Sequence, residues 1–252
     1  MTHGGDFDYD AHGGGYGVQR RADPRIAAVV HQALGEARTV LNVGAGAGSY
    51  EPSDRYVLAI EPSAAMRAQR PADAAPAVIG FAEQLPLDDA SVDAAMATMT
   101  VHQWSDPAKG LAELRRVSRG PVVILASDGD ALPCWWLNDY APEVIAAEQR
   151  RCPAIAWIAA AIGARSEVIH VPIPIDCTDG MKETFYARPE RLLDPAVRRA
   201  QSSWGFVGPE VEPRFARTLG ADLASGRWDE RYGHLRTQPA FDGSLRVIVG
   251  WP

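Results

Sequence analysis

The sequence predicts an α/β fold in which a parallel sheet is connected by crossover helices. Apolar runs of strand length alternate with helical stretches between residues 23 and 128. Three glycines, one at every second position, follow directly on the first apolar run. Ligands of open α/β sheets bind at the carboxyl ends of the strands, so this turn marks a candidate binding site.

The elements of this core are predicted in chain order from the apolar runs and the helix-start signals. Strands are expected at 39–44, 56–61, 77–80, 93–98 and 120–127. Helices are expected at 23–36, 63–70 and 106–118, with a short helical turn at 48–51. Asp23-Pro24 and Asp106-Pro107 indicate two of the helix starts, because proline is favoured at the first helical position.

The pattern changes after the fifth strand. Residues 131–165 and 181–236 are predicted to be helical, and 168–175 and 245–249 to be strands. A chain of 252 residues with 46% hydrophobic content suffices for one large domain. We therefore predict a single domain over 1–252, with a mobile N-terminal lid at 1–22, a ligand-binding core at 23–128 and helical covers at 129–165 and 181–236.

The glycine turn and the end of the second strand together predict a nucleoside site. Gly44, Gly46 and Gly48 carry no Cβ, so a nucleoside can lie close against their peptide planes. Glu61 ends the second predicted strand, where a carboxylate can accept hydrogen bonds from ribose hydroxyls.

Small departures from the dinucleotide fingerprint decide which nucleoside is expected. The third glycine of G-x-G-x-x-G would fall at position 49, where this chain has Ser49. The chain reads instead as G-x-G-x-G, followed by Ile60-Glu61-Pro62-Ser63 and then Ala82-Glu83-Gln84-Leu85-Pro86-Leu87. This ordered set resembles the class I S-adenosylmethionine-dependent methyltransferases, and is similar to the ubiquinone/menaquinone-biosynthesis subgroup. The resemblance covers residues 39–128 and an ending at 245–251.

The resemblance implies a fold and an activity. The fold would be a Rossmann-like, seven-stranded, mostly parallel sheet with an antiparallel edge and helical lid insertions around strand six. The activity would be methyl transfer from S-adenosylmethionine to the oxygen, nitrogen or carbon of a small-molecule acceptor, with secondary metabolism as one setting. Two alternatives stay open: a non-catalytic or repurposed S-adenosylmethionine-binding protein, and a nicotinamide-dependent oxidoreductase.

The resemblance also implies cofactor contacts. Asn42 stands where the family usually has an acidic residue, and its amide can still form hydrogen bonds. Ala82 and Glu83 fall on the loop expected to read adenine, and Arg20 is expected to pair with the carboxylate of the cofactor. The expected cofactor residues are Asn42, Gly44, Gly46, Gly48, Glu61, Pro62, Ala82, Glu83, Thr98, Tyr16 and Arg20.

The segment after the fourth strand is where the methyl group of relatives faces its acceptor. His102 lies there and is the candidate base for a protonated nucleophile, or an orienting group for a carboxylate. The alternative is that His102 only binds a loop carbonyl. Aromatic and apolar side chains are expected to line the acceptor pocket, although core packing is the alternative for them. They are Trp104, Trp135, Trp136, Tyr140, Met181 and Tyr186.

Charge, cysteine spacing and hydropathy argue against other classes. The net charge of −7 does not favour nucleic acid. Cys134, Cys152 and Cys177 lack the spacing of a disulfide framework or a zinc site, so no metal is expected. The acidic start does not resemble a signal peptide, and the longest apolar run, 154–164, is shorter than the ~20 residues that a membrane span needs. We therefore expect a cytoplasmic location.

Overall fold

The computed structural model describes residues 5–252, so the first four residues of the predicted lid lie outside the described residues. The strands in the described part are β1 (Thr39–Val43), β2 (Tyr56–Ile60), β3 (Ala77–Val78), β4 (Ala94–Thr98), β5 (Val122–Ser127), β6 (Arg165–His170), β7 (Ile173–Pro174), β8 (Ala240–Phe241) and β9 (Leu245–Trp251). The α-helices are α1 (Tyr9–His12), α2 (Tyr16–Gln19), α3 (Pro24–Ala33), α4 (Ala64–Arg67), α5 (Pro107–Val117), α6 (Leu137–Tyr140), α7 (Pro142–Arg151), α8 (Ile155–Ala161), α9 (Pro195–Arg199), α10 (Val211–Ser225) and α11 (Arg227–Tyr232). Short 3-10 helices occur at Val101–Gln103, Leu132–Cys134, Lys182–Phe185, Pro189–Leu193, Ser202–Phe206 and Gly233–Thr237.

Seven of these strands form one twisted sheet in the order β3-β2-β1-β4-β5-β9-β6. The first five strands in this order run parallel to one another, whereas β9 lies between β5 and β6 and is antiparallel to both. The strands β7 and β8 pair separately. The predicted Rossmann-like, mostly parallel fold with an antiparallel element at one side is thus confirmed.

The sheet is covered on both faces, which is why its strands read as almost continuous apolar runs. Along β5, Val123 and Leu125 face the layer that contains α3, while Val122 and Ile124 face the layer that contains α5 and α8. Successive side chains of a strand point to opposite faces, so one apolar strand contributes to two cores. The carboxyl ends of the parallel strands remain as the edge on which the site is built.

Side-chain caps begin the helices next to this edge. Asp23 accepts a hydrogen bond from Arg25 N before α3, and Asp106 accepts one from Lys109 N before α5. Ser63 caps α4 by accepting from Met66 N. The two Asp-Pro starts predicted from the sequence are confirmed, because the aspartate satisfies a free N–H while proline supplies a suitable φ.

The structure corrects several boundaries in the covers. The predicted strand 168–175 is wrong as one unit, since β6 begins at Arg165 and Pro172 separates it from β7. The predicted helical blocks 131–165 and 181–236 are broken into short segments. Pro142, Pro153, Pro189 and Pro195 lie at these breaks, because proline lacks an N–H donor and restricts the residue before it.

No helix within residues 5–252 is both long and apolar enough to cross a membrane, the longest being α10 with 15 residues.

Candidate active site

The glycine turn after β1 has the backbone conformation that its sequence predicts. Gly44, Gly46 and Gly48 have φ angles of +67°, +52° and +92°, which side-chain-bearing residues rarely adopt. A Cβ on Gly44 would lie 2.2 Å from Thr100 Oγ1, so the segment after β4 packs directly on this glycine. Gly44 and Gly46 border the cavity described below. Gly48 faces Arg70 and Glu51 instead.

Buried polar side chains hold the glycine turn in place. Asn42 is fully buried in β1 and donates from Nδ2 to Glu51 Oε1 at 2.9 Å. Glu51 in turn pairs with Arg70 at 2.7 Å, and both side chains are less than a tenth exposed. Asn42 therefore contacts the support of the turn and does not border the cavity in which we expected it.

Glu61 connects the end of β2 to the turn. Its carboxylate accepts from Gly46 N at 2.7 Å and from Ser63 N at 2.8 Å. Burial raises the pKa of Glu61, and the two backbone N–H groups oppose this effect. Each carboxylate oxygen retains a further lone pair, so Glu61 can also accept from a ligand hydroxyl.

These elements enclose a cavity of about 640 Å³, which we call the outer cavity. This volume is in the range of small-molecule sites. The glycine turn and Glu61 form one wall, the loop 79–83 a second, and the segment 98–105 after β4 a third. The predicted residues that line it are Tyr16, Gly44, Gly46, Glu61, Pro62, Ala82, Glu83, Thr98 and Trp104.

Residues 5–20, here called the N-terminal strap, cross over the outer cavity. Asp10 Oδ1 accepts from Ser63 Oγ at 2.6 Å and from Ala65 N at 2.9 Å, which attaches the strap to α4. Phe7, Tyr9 and Tyr16 of the strap line the cavity. The strap thus forms the roof of the site.

Arg20 ends the strap and is held by a buried carboxylate. Its Nε donates to Asp179 Oδ1 at 2.6 Å, and Tyr50 Oη donates to the other oxygen of Asp179 at 2.6 Å. Asp179 is 2% exposed, so this contact is well shielded from water. It was not predicted, because Asp179 lies far from Arg20 in the sequence.

A second, smaller space adjoins the outer cavity, and we call it the inner chamber. It has about 40 Å³ of free volume. Tyr9, Tyr16, Met99 and Gln103 border both spaces. Its other lining residues are Arg20, His102, Ser127, Leu132, Glu148, Ile173, Met181, Lys182, Glu183, Gln201, Ser202 and Leu245. The chamber therefore lies at the carboxyl ends of β4 and β5, next to the outer cavity.

His102 projects into the inner chamber from the 3-10 helix Val101–Gln103. Its Nε2 lies 3.3 Å from Gln103 Nε2, which also donates to Tyr9 Oη at 2.8 Å. Enclosure by protein lowers the pKa of His102 to about 4, although Glu148 opposes this shift. The imidazole is consequently neutral near pH 7.

A buried ionic cluster forms the far side of the chamber. Lys182 Nζ lies 3.1 Å and Arg151 Nη1 3.6 Å from Glu148 Oε2, and the three side chains are 11%, 8% and 6% exposed, respectively. Burial alone would raise the pKa of Glu148, but Lys182, His102 and Arg151 together hold it at about 2. Sequence reasoning missed this cluster. Glu148 follows Val144 and Ile145 on the apolar face of α7, and a charge in that position was the available signal.

The predicted acceptor wall is only partly present in the structure. Met181 lines the inner chamber and Trp104 the outer cavity. The other four predicted residues, Trp135, Trp136, Tyr140 and Tyr186, lie in the hydrophobic core and border neither space.

Hydrogen bonds explain that core placement. Trp136 Nε1 donates to Tyr186 O at 2.9 Å, and Tyr186 Oη donates to Gln238 O at 2.6 Å. The polar ends of Trp136 and Tyr186 are thus satisfied inside the protein, which favours the packing alternative for these two, whereas Trp135 Nε1 has no hydrogen-bond partner among the described residues.

Comparison with known proteins supports the interpretation of the core. Residues 41–124 match the family model described as a methyltransferase domain. An uncharacterized methyltransferase of Mycobacterium bovis is 40% identical over 91 residues, which amount to 33% of this chain and 36% of the relative. The match therefore spans about a third of the length of that curated relative.

Solved structures extend the likeness to nearly the whole chain. A candidate methyltransferase from an antibiotic biosynthesis pathway of Anabaena variabilis has a TM-score of 0.84 and 28% identity, covering 92% of this chain and 98% of that one. An S-adenosylmethionine-dependent methyltransferase of Thermotoga maritima, with a TM-score of 0.58 and 15% identity, shares the fold over 96% of this chain and 97% of its own. Together with the glycine turn, the family model over residues 41–124 and the likeness to the Anabaena variabilis structure support a class I S-adenosylmethionine-dependent methyltransferase, whose methyl donor is S-adenosylmethionine.

Proposed function

We propose that this protein transfers the methyl group of S-adenosylmethionine to a small-molecule acceptor held in the inner chamber. The observation that carries the proposal is the junction of the two spaces, where Tyr9, Tyr16, Met99 and Gln103 border both. A cofactor in the outer cavity would supply an electrophilic methyl group at this junction. The protein then has to hold the acceptor in line with the methyl group and to exclude water.

The outer cavity has the features that this cofactor needs. Gly46 presents open backbone toward it, and Glu61 retains lone pairs for two ribose hydroxyls. The apolar ring of Phe81 and the backbone at Ala82 border the space expected to hold adenine. Ser49 instead of a third glycine disfavours the nicotinamide alternative.

The acceptor is best sought with labelled cofactor. We expect S-adenosylhomocysteine to form together with a methylated product when the protein is given labelled S-adenosylmethionine and a panel of metabolites. The described pathway of the Anabaena variabilis structure makes intermediates of secondary metabolism a sensible part of that panel. Cofactor binding without turnover on any metabolite would favour the non-catalytic alternative.

The N-terminal strap acts as a lid in this proposal. The inner chamber has only about 40 Å³ of free volume, so the roof or the covers have to move before a metabolite enters. The strap is attached to α4 through Asp10 and to Asp179 through Arg20, and release of these contacts would open the site.

Glu61→Ala is expected to weaken S-adenosylhomocysteine binding by about 10- to 150-fold, because charge-assisted hydrogen bonds to ribose are lost. Calorimetry measures the affinity, and Glu36→Ala, at an exposed position after α3, is the control. The variant also loses the acceptor for Gly46 N and Ser63 N, so its melting temperature should be recorded. An affinity within twofold of the wild type would place ribose elsewhere.

Arg20→Met is expected to weaken the binding of ligands that carry the amino-acid part of the cofactor and to leave the binding of ligands without it unchanged. We propose that Arg20, which lines the inner chamber and is oriented by Asp179, pairs with the cofactor carboxylate where the amino-acid part of the cofactor reaches the junction of the two spaces. The variant should bind S-adenosylhomocysteine about 10-fold or more weakly but bind 5′-methylthioadenosine, which lacks the amino-acid part, as the wild type does. Arg21→Met, at the neighbouring exposed position, should change neither. Equal weakening of both ligands would show that Arg20 serves only the structure.

A further inference from the structure

Lys182 and Glu148 of the buried cluster beside His102 line the inner chamber and not the outer cavity, so the proposed cofactor site does not explain them. Burying charged groups costs free energy even when they are paired, so an ion cluster is not the simplest way to fill a core. Lys182 and Glu148 both line the inner chamber, and Arg151 lies behind Glu148. Charged side chains therefore line the chamber at the place where an acceptor would bind.

Each of the two carboxylates that line the chamber has a partner, although Glu148 Oε2 is balanced by nearby cations and accepts no hydrogen bond from the described residues. Glu148 is paired with Lys182 and lies near Arg151. Glu183 accepts from both the N–H and the hydroxyl of Ser244. An ammonium group entering the chamber would lie near the cations Lys182 and Arg20, which also line it.

Lys182 retains unused donor capacity. Lys182 has three N–H donors, and the residues described in the structure give it Glu148 as an ionic partner. Arg151 is further balanced by Asp6 at 2.6 Å on its outer side. Glu148 therefore stays near a cation, Arg151, when one of the N–H donors of Lys182 turns to a ligand.

The choice of lysine at this position is also informative. The chain contains 25 basic residues, of which only Lys109 and Lys182 are lysines. An ammonium is a compact charge that can turn between two carboxylates, whereas a guanidinium needs a planar partner in a fixed orientation.

We infer that the inner chamber admits an acceptor that carries a carboxylate, and that Lys182 binds this carboxylate. This inference rests on the proposed function, since it deepens the assignment of the same chamber. Lys182 is then the residue that determines specificity, and Glu148 holds its side chain in place before the acceptor arrives.

The test measures how tightly three probes of matched size bind the complex of the protein with S-adenosylhomocysteine. The probes are butyrate, butylamine and butan-1-ol, and ligand-detected NMR measures their affinities. We expect butyrate to bind about 10-fold or more tightly than the other two, because it alone forms a charge-assisted contact with Lys182. Lys182→Met should lose this preference and keep its affinity for S-adenosylhomocysteine. Lys182→Arg should restore part of it, and Lys109→Met, at the exposed lysine of α5, should behave as the wild type.

Lys182→Met leaves Glu148 short of a partner, so the double variant Glu148→Gln/Lys182→Met provides a neutral chamber if the single variant does not fold. Equal binding of the three probes, no binding of butyrate, or unchanged butyrate affinity without Lys182 would overturn the inference. Failure of S-adenosylhomocysteine to bind the wild type would instead count against the proposed function, and this is measured before any probe is added.

Discussion

Gly46→Val is expected to abolish cofactor binding while the protein remains folded. Gly46 borders the outer cavity with a φ of +52°, and a Cβ built on it points toward Met66 Cε at 3.3 Å. The two methyl groups of valine would extend further into the same wall. We expect the dissociation constant for S-adenosylhomocysteine to rise by at least about 100-fold in calorimetry.

A matched control separates lost space from backbone strain. Valine at a positive φ is strained wherever it lies, so some loss of stability is expected from Gly46→Val alone. Gly226 has a φ of +82° at the end of α10, and, its chain neighbours and local helix backbone aside, no heavy atom of residues 5–252 lies within 4 Å of the point that a Cβ would occupy there. Gly226→Val should therefore lose comparable stability but bind normally. Normal binding by folded Gly46→Val would show that the cofactor lies elsewhere.

His102→Ala is expected to act on the chemical step and not on cofactor binding. His102 lines the inner chamber and not the outer cavity, so the affinity for S-adenosylhomocysteine should stay within twofold of the wild type. If the nucleophile of the acceptor loses a proton, kcat should fall by about 10²- to 10⁴-fold. If it is a carboxylate, no base is needed, and a smaller loss should appear mainly in KM.

The pH dependence of kcat/KM tests whether His102 acts as a base. The pKa of His102 is lowered to about 4, so the neutral, proton-accepting form prevails above that pH. A base at this position predicts kcat/KM that falls as the pH drops through about 4, and this limb should vanish in His102→Ala. His170→Ala, on the exposed edge strand β6, is the control. Wild-type kcat and pH dependence in His102→Ala would leave His102 a structural residue.

Local sequence patterns predicted the part of the site that is built from local structure. The turn at Gly44 and Gly46 follows β1 directly, and Glu61 follows β2, so strand periodicity sufficed to bring them to one edge. The Asp-Pro helix starts at Asp23 and Asp106 were predictable for the same reason, since a cap and its helix are adjacent in sequence.

Contacts between distant segments were not predictable in this way. Arg20 meets Asp179 across 159 positions, and Glu148 of α7 forms an ion pair with Lys182 of the 3-10 helix Lys182–Phe185. The tryptophans after β5 illustrate the same limit, because periodicity does not tell a pocket wall from a core. Trp136 lies in the core, where its Nε1 finds the carbonyl of Tyr186.

Titration of the wild-type protein with S-adenosylhomocysteine and, in parallel, with NAD is the measurement that tests the central claim most directly. The glycine turn, Glu61 and the outer cavity predict one binding site for S-adenosylhomocysteine with micromolar affinity, and no heat of binding with NAD. Binding of NAD without binding of S-adenosylhomocysteine would contradict the assignment of the outer cavity and the methyl transfer derived from it.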